Sequence, residues 1–197
     1  DKLLPRPSKV AKPVHHRAVA ADDVPGVIQR LNDAEGMGAK ALLFAILTAA
    51  RSGEVRGAAW SEIDMGSRVW TVPGVRMKAG RDHRVPLSKV AVQLLESLPQ
   101  IADLDLVFPA PRGGQLSDMT LSAVLRRMRV EAVPHGFRST FRDWVAERTT
   151  YPSEIAEMAL AHTVGNKVEA AYRREESRGA HYRTDFPEPS PAWERHI

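Results

Sequence analysis

"SRVWTVPGVRMKAGRDHRVPLS" (residues 67–88) is where the hydrophobic pattern of this chain changes period. Three pieces in and around it, "SRVWTVPG" (67–74), "VRMKA" (75–79) and "HRVPLS" (83–88), are β-rich, and the turn-like "GRD" joins the last two. They predict a small antiparallel sheet. On either side the apolar residues recur at helical spacing instead. Before the sheet, "AADDVPGVIQRLNDAEG" (20–36) predicts a helix capped by Asp22 or Asp23, with Val24, Val27, Ile28 and Leu31 on one face. "MGAKALLFAILTAARSGEVRGAAW" (37–60) predicts a nearly all-apolar helix, a break at Ser52–Gly53 and a second short helix. After the sheet, helices are predicted over 88–98, 116–130, 135–149, 152–162 and 166–176, with a loop and a short extended piece at 103–114. The class is mainly α with one small antiparallel β-sheet (α+β). Residues 1–19, with three prolines and no hydrophobic period, read as a linker or arm, and 177–197 as an irregular tail.

Composition narrows the function. A chain of 197 residues, 43% hydrophobic, is long enough for one domain with a real core. The longest apolar segment, 39–50, falls short of the roughly 20 residues that span a bilayer, and the N-terminus lacks the apolar stretch of a secretory signal. Without cysteine there is no disulfide, no thiolate nucleophile and no cysteine zinc site. The formal charge is +4 and the sequence pI about 9.6. The arginines crowd the second half, in "LRRMRV" (125–130), "HGFRSTFRDW" (135–144) and "AYRREESR" (171–178). Guanidinium forks suit phosphate oxygens, so nucleic acid is favoured as the partner over a membrane.

Several residues invite chemistry, and each has an ordinary reading beside it. His135 and Arg138 in "HGFR" project from one face at the head of a helix, where free N–H groups suit a phosphate. Alone they read more readily as a cap and a surface charge. Arg51 directly follows a strongly apolar helix, and Glu54 stands one turn on, either orienting it or forming a plain surface pair. Lys78 sits beside a hairpin turn, where a lysine commonly guards a sheet edge. His162 closes one helix, and Tyr172 sits in the next, a usual place for a core tyrosine. Taken together, the order R…K…H-x-x-R…H…Y supplies a full set for phosphoryl transfer without a metal or cofactor. Tyrosine can act as covalent nucleophile, the arginines can stabilise charge on phosphate oxygens, and a lysine can protonate a departing alkoxide.

The same residues carry a resemblance. "LTAARSGEVRGAAWSEID" (47–64), "RMKAGRDHRVPLS" (76–88), "VFPAPRGGQLSD" (107–118), "HGFRSTFRDWVAER" (135–148) and "MALAHTVGNKVEAAYRR" (158–174) resemble, in order, the catalytic domain of the tyrosine recombinase family, close to prophage and genomic-island integrases. The resemblance implies a domain over 20–176 that cuts and rejoins DNA strands through a 3′-phosphotyrosine at Tyr172. It implies Arg51 and Arg138 as the phosphate clamp and Lys78 as general acid. His135 and His162 become hydrogen-bond donors or proton managers, with Glu54 as a buttress for Arg51. Arg81, Arg127 and Arg142 become sequence-neutral DNA contacts.

Double-stranded DNA carrying attachment sites, a tetramer on DNA in the full-length protein, and the nucleoid of a bacterial cytoplasm follow from the same resemblance. Two departures stand out. Only the linker-like residues 1–19 precede the catalytic domain, where such integrases carry arm-type and core-type DNA-binding domains, so an excised or truncated domain is expected. After the tyrosine, "EESRGAHYRTDFPEPSPAWERHI" (175–197) replaces the family's further docking helix, since Pro187, Pro189 and Pro191 break a long regular helix. The other readings are relaxation of supercoiled DNA in the manner of a type IB topoisomerase, and a DNA-binding or regulatory remnant without strand exchange.

Overall fold

The computed structural model of the chain describes residues 17–162. The helix expected at 166–176, the tail at 177–197 and most of the N-terminal arm lie outside these residues. A 3-10 turn, Ala21–Asp23, runs into helix α1, Val24–Asp33, followed by α2, Met37–Thr48, and the short α3, Ser52–Arg56. Neither aspartate caps α1 with its side chain. Asp22 instead forms a two-pronged pair with Arg148, at 2.8 and 2.7 Å, far along the chain. Val27 and Leu31 face the core as their spacing required.

The break after α2 comes three residues earlier than Ser52–Gly53, at Ala49–Arg51. The Thr48 hydroxyl bonds the Phe44 carbonyl at 2.6 Å, and Ala49 adopts the left-handed conformation, φ 50° and ψ 24°, that ends helices. Ser52 then opens α3 rather than interrupting it. The Glu54 carboxylate reaches back to the Arg51 N–H at 2.8 Å, as the acid of a capping box does.

The sheet is three-stranded and antiparallel, in the order β1 (Ile63–Asp64), β2 (Val69–Val72), β3 (His83–Pro86). Trp70 stands opposite Ile63 on one side and Val85 on the other. The expected strand at 75–79 is absent. Pro73 leads into a 3-10 turn at Gly74–Arg76, Met77 N–H bonds the Gly74 carbonyl at 2.9 Å, and the Asp82 carboxylate accepts from Gly74 N at 2.7 Å. The chain from 73 to 82 is therefore a folded connection between β2 and β3, and Lys78 rides on it. The first strand, β1, is only two residues long, too short to show alternation in sequence.

Helix α4 (Lys89–Glu96) is capped by the Ser88 hydroxyl, at 3.2 Å from Ala91 N. Helix α5 (Thr120–Arg127) is shorter than the 116–130 expected, because the chain turns after it, with Arg129 left-handed at φ 52°. Helices α6 (Gly136–Arg148) and α7 (Ser153–Ala159) complete the described residues. The nearly all-apolar α2 lies at the centre, packed against α1, α3, α4 and α5. Phe44 of α2, Trp70 of β2 and Phe108 form the aromatic centre of the core, with ring centroids 5.2 and 5.4 Å apart and no exposed surface. The extended piece expected within 103–114 is there: Val107 N–H bonds the Ala58 carbonyl at 2.9 Å, and Trp60 N–H the Asp105 carbonyl at 2.7 Å. Helix α6 packs on α7 and also receives residues 17–19, where the Thr140 hydroxyl bonds the Val19 carbonyl at 2.6 Å and Val133 N–H the Arg17 carbonyl at 3.2 Å.

Candidate active site

The arrangement begins with Arg138, in the first turn of α6. Far from being a surface charge, it is only 4% exposed. One Nη donates to the carbonyl of Ala49 at the end of α2, and the other to the carbonyl of Leu160 at the end of α7, at 2.5 Å. Carbonyls at helix C-termini have no partner within their helix and carry the negative end of the dipole, so one guanidinium between two such ends is well placed electrostatically. The left-handed Ala49 and Ala161, at φ 50° and 51°, turn the chain at these two ends. Burial, and then the neighbouring positive charge of Arg51, hold the Arg138 guanidinium down to about 10, while Glu54 and Glu157 pull the other way. About three units above neutral pH, it remains a cation. Its Nε is buried and has no hydrogen-bond partner among the described residues.

Arg51 reaches the same place from the N-terminus of α3. Its Nη1 bonds Glu54 Oε1 at 2.7 Å, and its N–H bonds the other carboxylate oxygen. Glu54 is 5% exposed and Arg51 27% in their side chains, so a buried carboxylate grips a guanidinium that keeps one side open. The pair is thus not a plain surface contact. His162, just past α7, stands with Nε2 3.4 Å from Arg138 Nη2 and Nδ1 2.5 Å from Glu157 Oε2. Arginine has no acceptor, so this contact requires an unprotonated Nε2 and leaves the proton on Nδ1, facing the Glu157 carboxylate.

Arg51, Glu54, Arg138 and His162 therefore come together. His135 is exposed at the N-cap position of α6, one turn before Arg138, and its side chain does not cap the helix. Lys78 is exposed on the β2–β3 connection. Arg81, Arg127 and Arg142 are exposed, and Arg142 makes a long 3.8 Å contact with Asp143. Tyr172 lies outside the described residues. Among those residues, no three His, Asp or Glu side chains gather as metal ligands would.

Two participants were not read from the sequence. Glu157 orients the His162 ring, and its signal was an acid in the last turn of a helix, where the dipole disfavours one unless a cation or N–H meets it. His83, the first residue of β3, lines a recess of about 90 Å³ together with Thr48, Ala49, Phe141 and Ala159. Burial holds its imidazole below the ordinary range. Glu54 and a hydrogen bond to the Ala159 carbonyl oppose this, while Arg138 and Arg51 add to it. His83 is thus a neighbour of Arg51, Glu54 and Arg138. Nothing in the alternation of "HRVPLS" marked it, because its setting is made by α2 and α7.

A model of the phage integrase family matches residues 17–178. The chain belongs to that family, and its fold is that of the tyrosine recombinase catalytic domain. It is 32% identical over 180 residues to prophage integrase IntA of Escherichia coli strain K12, covering 88% of this chain and 42% of the relative. To the integrase of Enterobacteria phage P4 it is 34% identical over 179 residues, covering 80% and 41%. The chain thus spans about two fifths of the length of these relatives. Among solved structures, a lambda integrase tetramer bound to a Holliday junction matches with a TM-score of 0.59 at 20% identity, over 80% of this chain and 50% of that one. XerA recombinase matches with a TM-score of 0.59 at 15% identity, over 86% and 67%.

Proposed function

We propose that this chain carries the catalytic domain of a site-specific DNA recombinase, acting in the integration or excision of a prophage or genomic island. The observation that carries the reading is the Arg138 guanidinium, buried between two helix ends beside Arg51 and His162. Preorganised cations in a partly dry site stabilise charge developing on phosphate oxygens far better than solvated ones. In the proposed step the Tyr172 hydroxyl gives its proton to solvent and its oxygen attacks the phosphorus. The Tyr–O–P bond forms, the P–O5′ bond breaks, and the departing 5′ oxygen takes a proton from Lys78. Arg51 and Arg138 hold the non-bridging oxygens, with His135 and His162 beside them. The reverse step, with a 5′-hydroxyl from another strand, rejoins the DNA without a nucleotide cofactor.

The proposed domain is 20–176, and residues 17–19, packed on α6, enter it as its leading edge. The partner is double-stranded DNA bearing attachment sites, with Arg81, Arg127 and Arg142 contacting phosphates. A tetramer on DNA and a place at the nucleoid of a bacterial cytoplasm complete the reading. Among the described residues no helix is long and apolar enough to cross a membrane.

The test uses nicked duplexes with a randomised core, built so that a short 5′-hydroxyl fragment diffuses away after cleavage. An SDS-stable protein–DNA adduct is expected with the native chain and not with Tyr172→Phe. An adduct retained by the variant, or none from the native chain across the pool, overturns the reading.

A further inference from the structure

One half-buried network remains unused by these assignments. Arg76 Nη1 donates to the backbone carbonyl of Glu54 at 3.0 Å, and its Nη2 pairs with the Glu62 carboxylate. Glu62 is itself held from two further sides, by Trp70 Nε1 at 3.0 Å and Ala59 N at 3.3 Å. The last turn of α3 closes over the guanidinium so tightly that a Cβ at Gly57 would lie 2.6 Å from Arg76 Nη1. Glu54, which receives Arg76 on its carbonyl, is the residue whose carboxylate grips Arg51. Two residues beyond Arg76 stands Lys78.

We infer that Arg76 is a positioning residue, locking the Lys78-bearing connection onto the helix that carries the Arg51 clamp and so fixing the distance between acid and clamp. The inference rests on the reading of Lys78 and Arg51 given above. Each end of the lock is rigid on its own account. Arg51 keeps both bonds to Glu54 without Arg76. The connection keeps its own fold through Asp82 and Gly74, Met77 and Gly74, and the buried Met77 side chain. What Arg76 adds is the placement of one rigid piece against the other. A fork is required, because a lysine ammonium has a single centre and cannot meet the Glu54 carbonyl and the Glu62 carboxylate in the same directions.

Replacing the 5′ oxygen at the scissile phosphate by sulfur separates the two arms. A thiolate leaves without being protonated, so the sulfur substrate needs the clamp but not the general acid. On the nicked duplexes, Lys78→Ala is expected to fail with oxygen and recover with sulfur, whereas Arg51→Ala fails with both. Arg76→Ala and Arg76→Lys are expected to slow cleavage of the oxygen substrate by about 100-fold, the scale of an ångström-sized misplacement. With sulfur they should return to within about threefold of the native chain, since the proton transfer they disturb is no longer needed. Gly57→Ala, which pushes the guanidinium aside without removing it, should repeat the pattern more weakly. Equal losses on both substrates, or no loss on either, overturn the inference. If the native chain cleaves neither substrate, the proposed function falls. The lock is then judged by the distance between spin labels carried on Gly53→Cys and Lys78→Cys in the otherwise cysteine-free chain, whose distribution must broaden in Arg76→Ala if the inference holds; an unchanged distribution overturns it.

Discussion

Arg138 shows why the site needs guanidinium chemistry at a particular atom. Its two Nη groups each take a carbonyl at a helix end, and the burial this demands lowers its pKa without discharging it. Lysine at this position keeps the charge but meets only one carbonyl. Arg138→Lys is expected to leave one buried acceptor unpaired, costing about 1–3 kcal/mol in urea denaturation, and to slow adduct formation by about 100-fold or more. Stability equal to the native chain would contradict the bracing seen at Ala49 and Leu160. His83 gives a pH signature at the same scale. Its folded pKa lies below the ordinary 6.5, so below that pH the unfolded chain binds the proton more readily. The stability tied to the neutral imidazole is thus full above pH 6.5 and lost as pH falls towards the lower folded value. His83→Gln should show a shallower decline of unfolding free energy over that window than the native chain, and an unchanged slope would remove His83 from the cluster. At this scale the sequence made Arg51, Glu54, Arg138 and His162 visible by type and order. It was silent on Arg76, His83 and Glu62, whose significance arises from contacts between segments that no local pattern encodes.

Elements were legible where period or composition was strong. The nearly all-apolar α2, the Ser88-capped α4 and the long α6 stand close to their expected positions. Errors gathered where a cap or turn made a few residues away overrides the pattern of the residues themselves. The serine–glycine pair taken as a break became the start of α3, because the Glu54 carboxylate caps that helix. "VRMKA" looked like a strand from its valine and alternation, but Pro73, Gly74 and Asp82 fold it into a turn. The beginning of α6 yields a test at this scale. A Cβ on Gly136 would fall 2.1 Å from the Arg17 backbone carbonyl, a clash that no rotamer change relieves. Gly136→Ala would gain about 1 kcal/mol in an isolated helix. Here it is expected to destabilise by about 1–3 kcal/mol, as overpacking does, with a lower melting temperature as the readout. A higher melting temperature would mean that residues 17–19 do not pack on α6 as described.

At the scale of the molecule, one apolar helix and one small sheet form a core around Phe44, Trp70 and Phe108, and the ends of the surrounding elements converge on the arginines. This division leaves Arg127 and Arg142 exposed on the surface. If Arg127 and Arg142 each neutralise a DNA phosphate, replacing both by glutamine should lower the slope of log affinity against log salt by about 0.9 per residue. A weaker affinity with an unchanged slope would exclude direct phosphate contact. The central claim is that this arrangement serves a covalent step at one tyrosine. The most direct measurement is to digest the trapped adduct with nuclease and trypsin and weigh the peptide that retains a nucleotide. The mass expected is that of residues 168–173, "VEAAYR", joined through a 3′-phosphate at Tyr172. A nucleotide on Tyr151, Tyr182 or any hydroxyl other than that of Tyr172 would contradict the account.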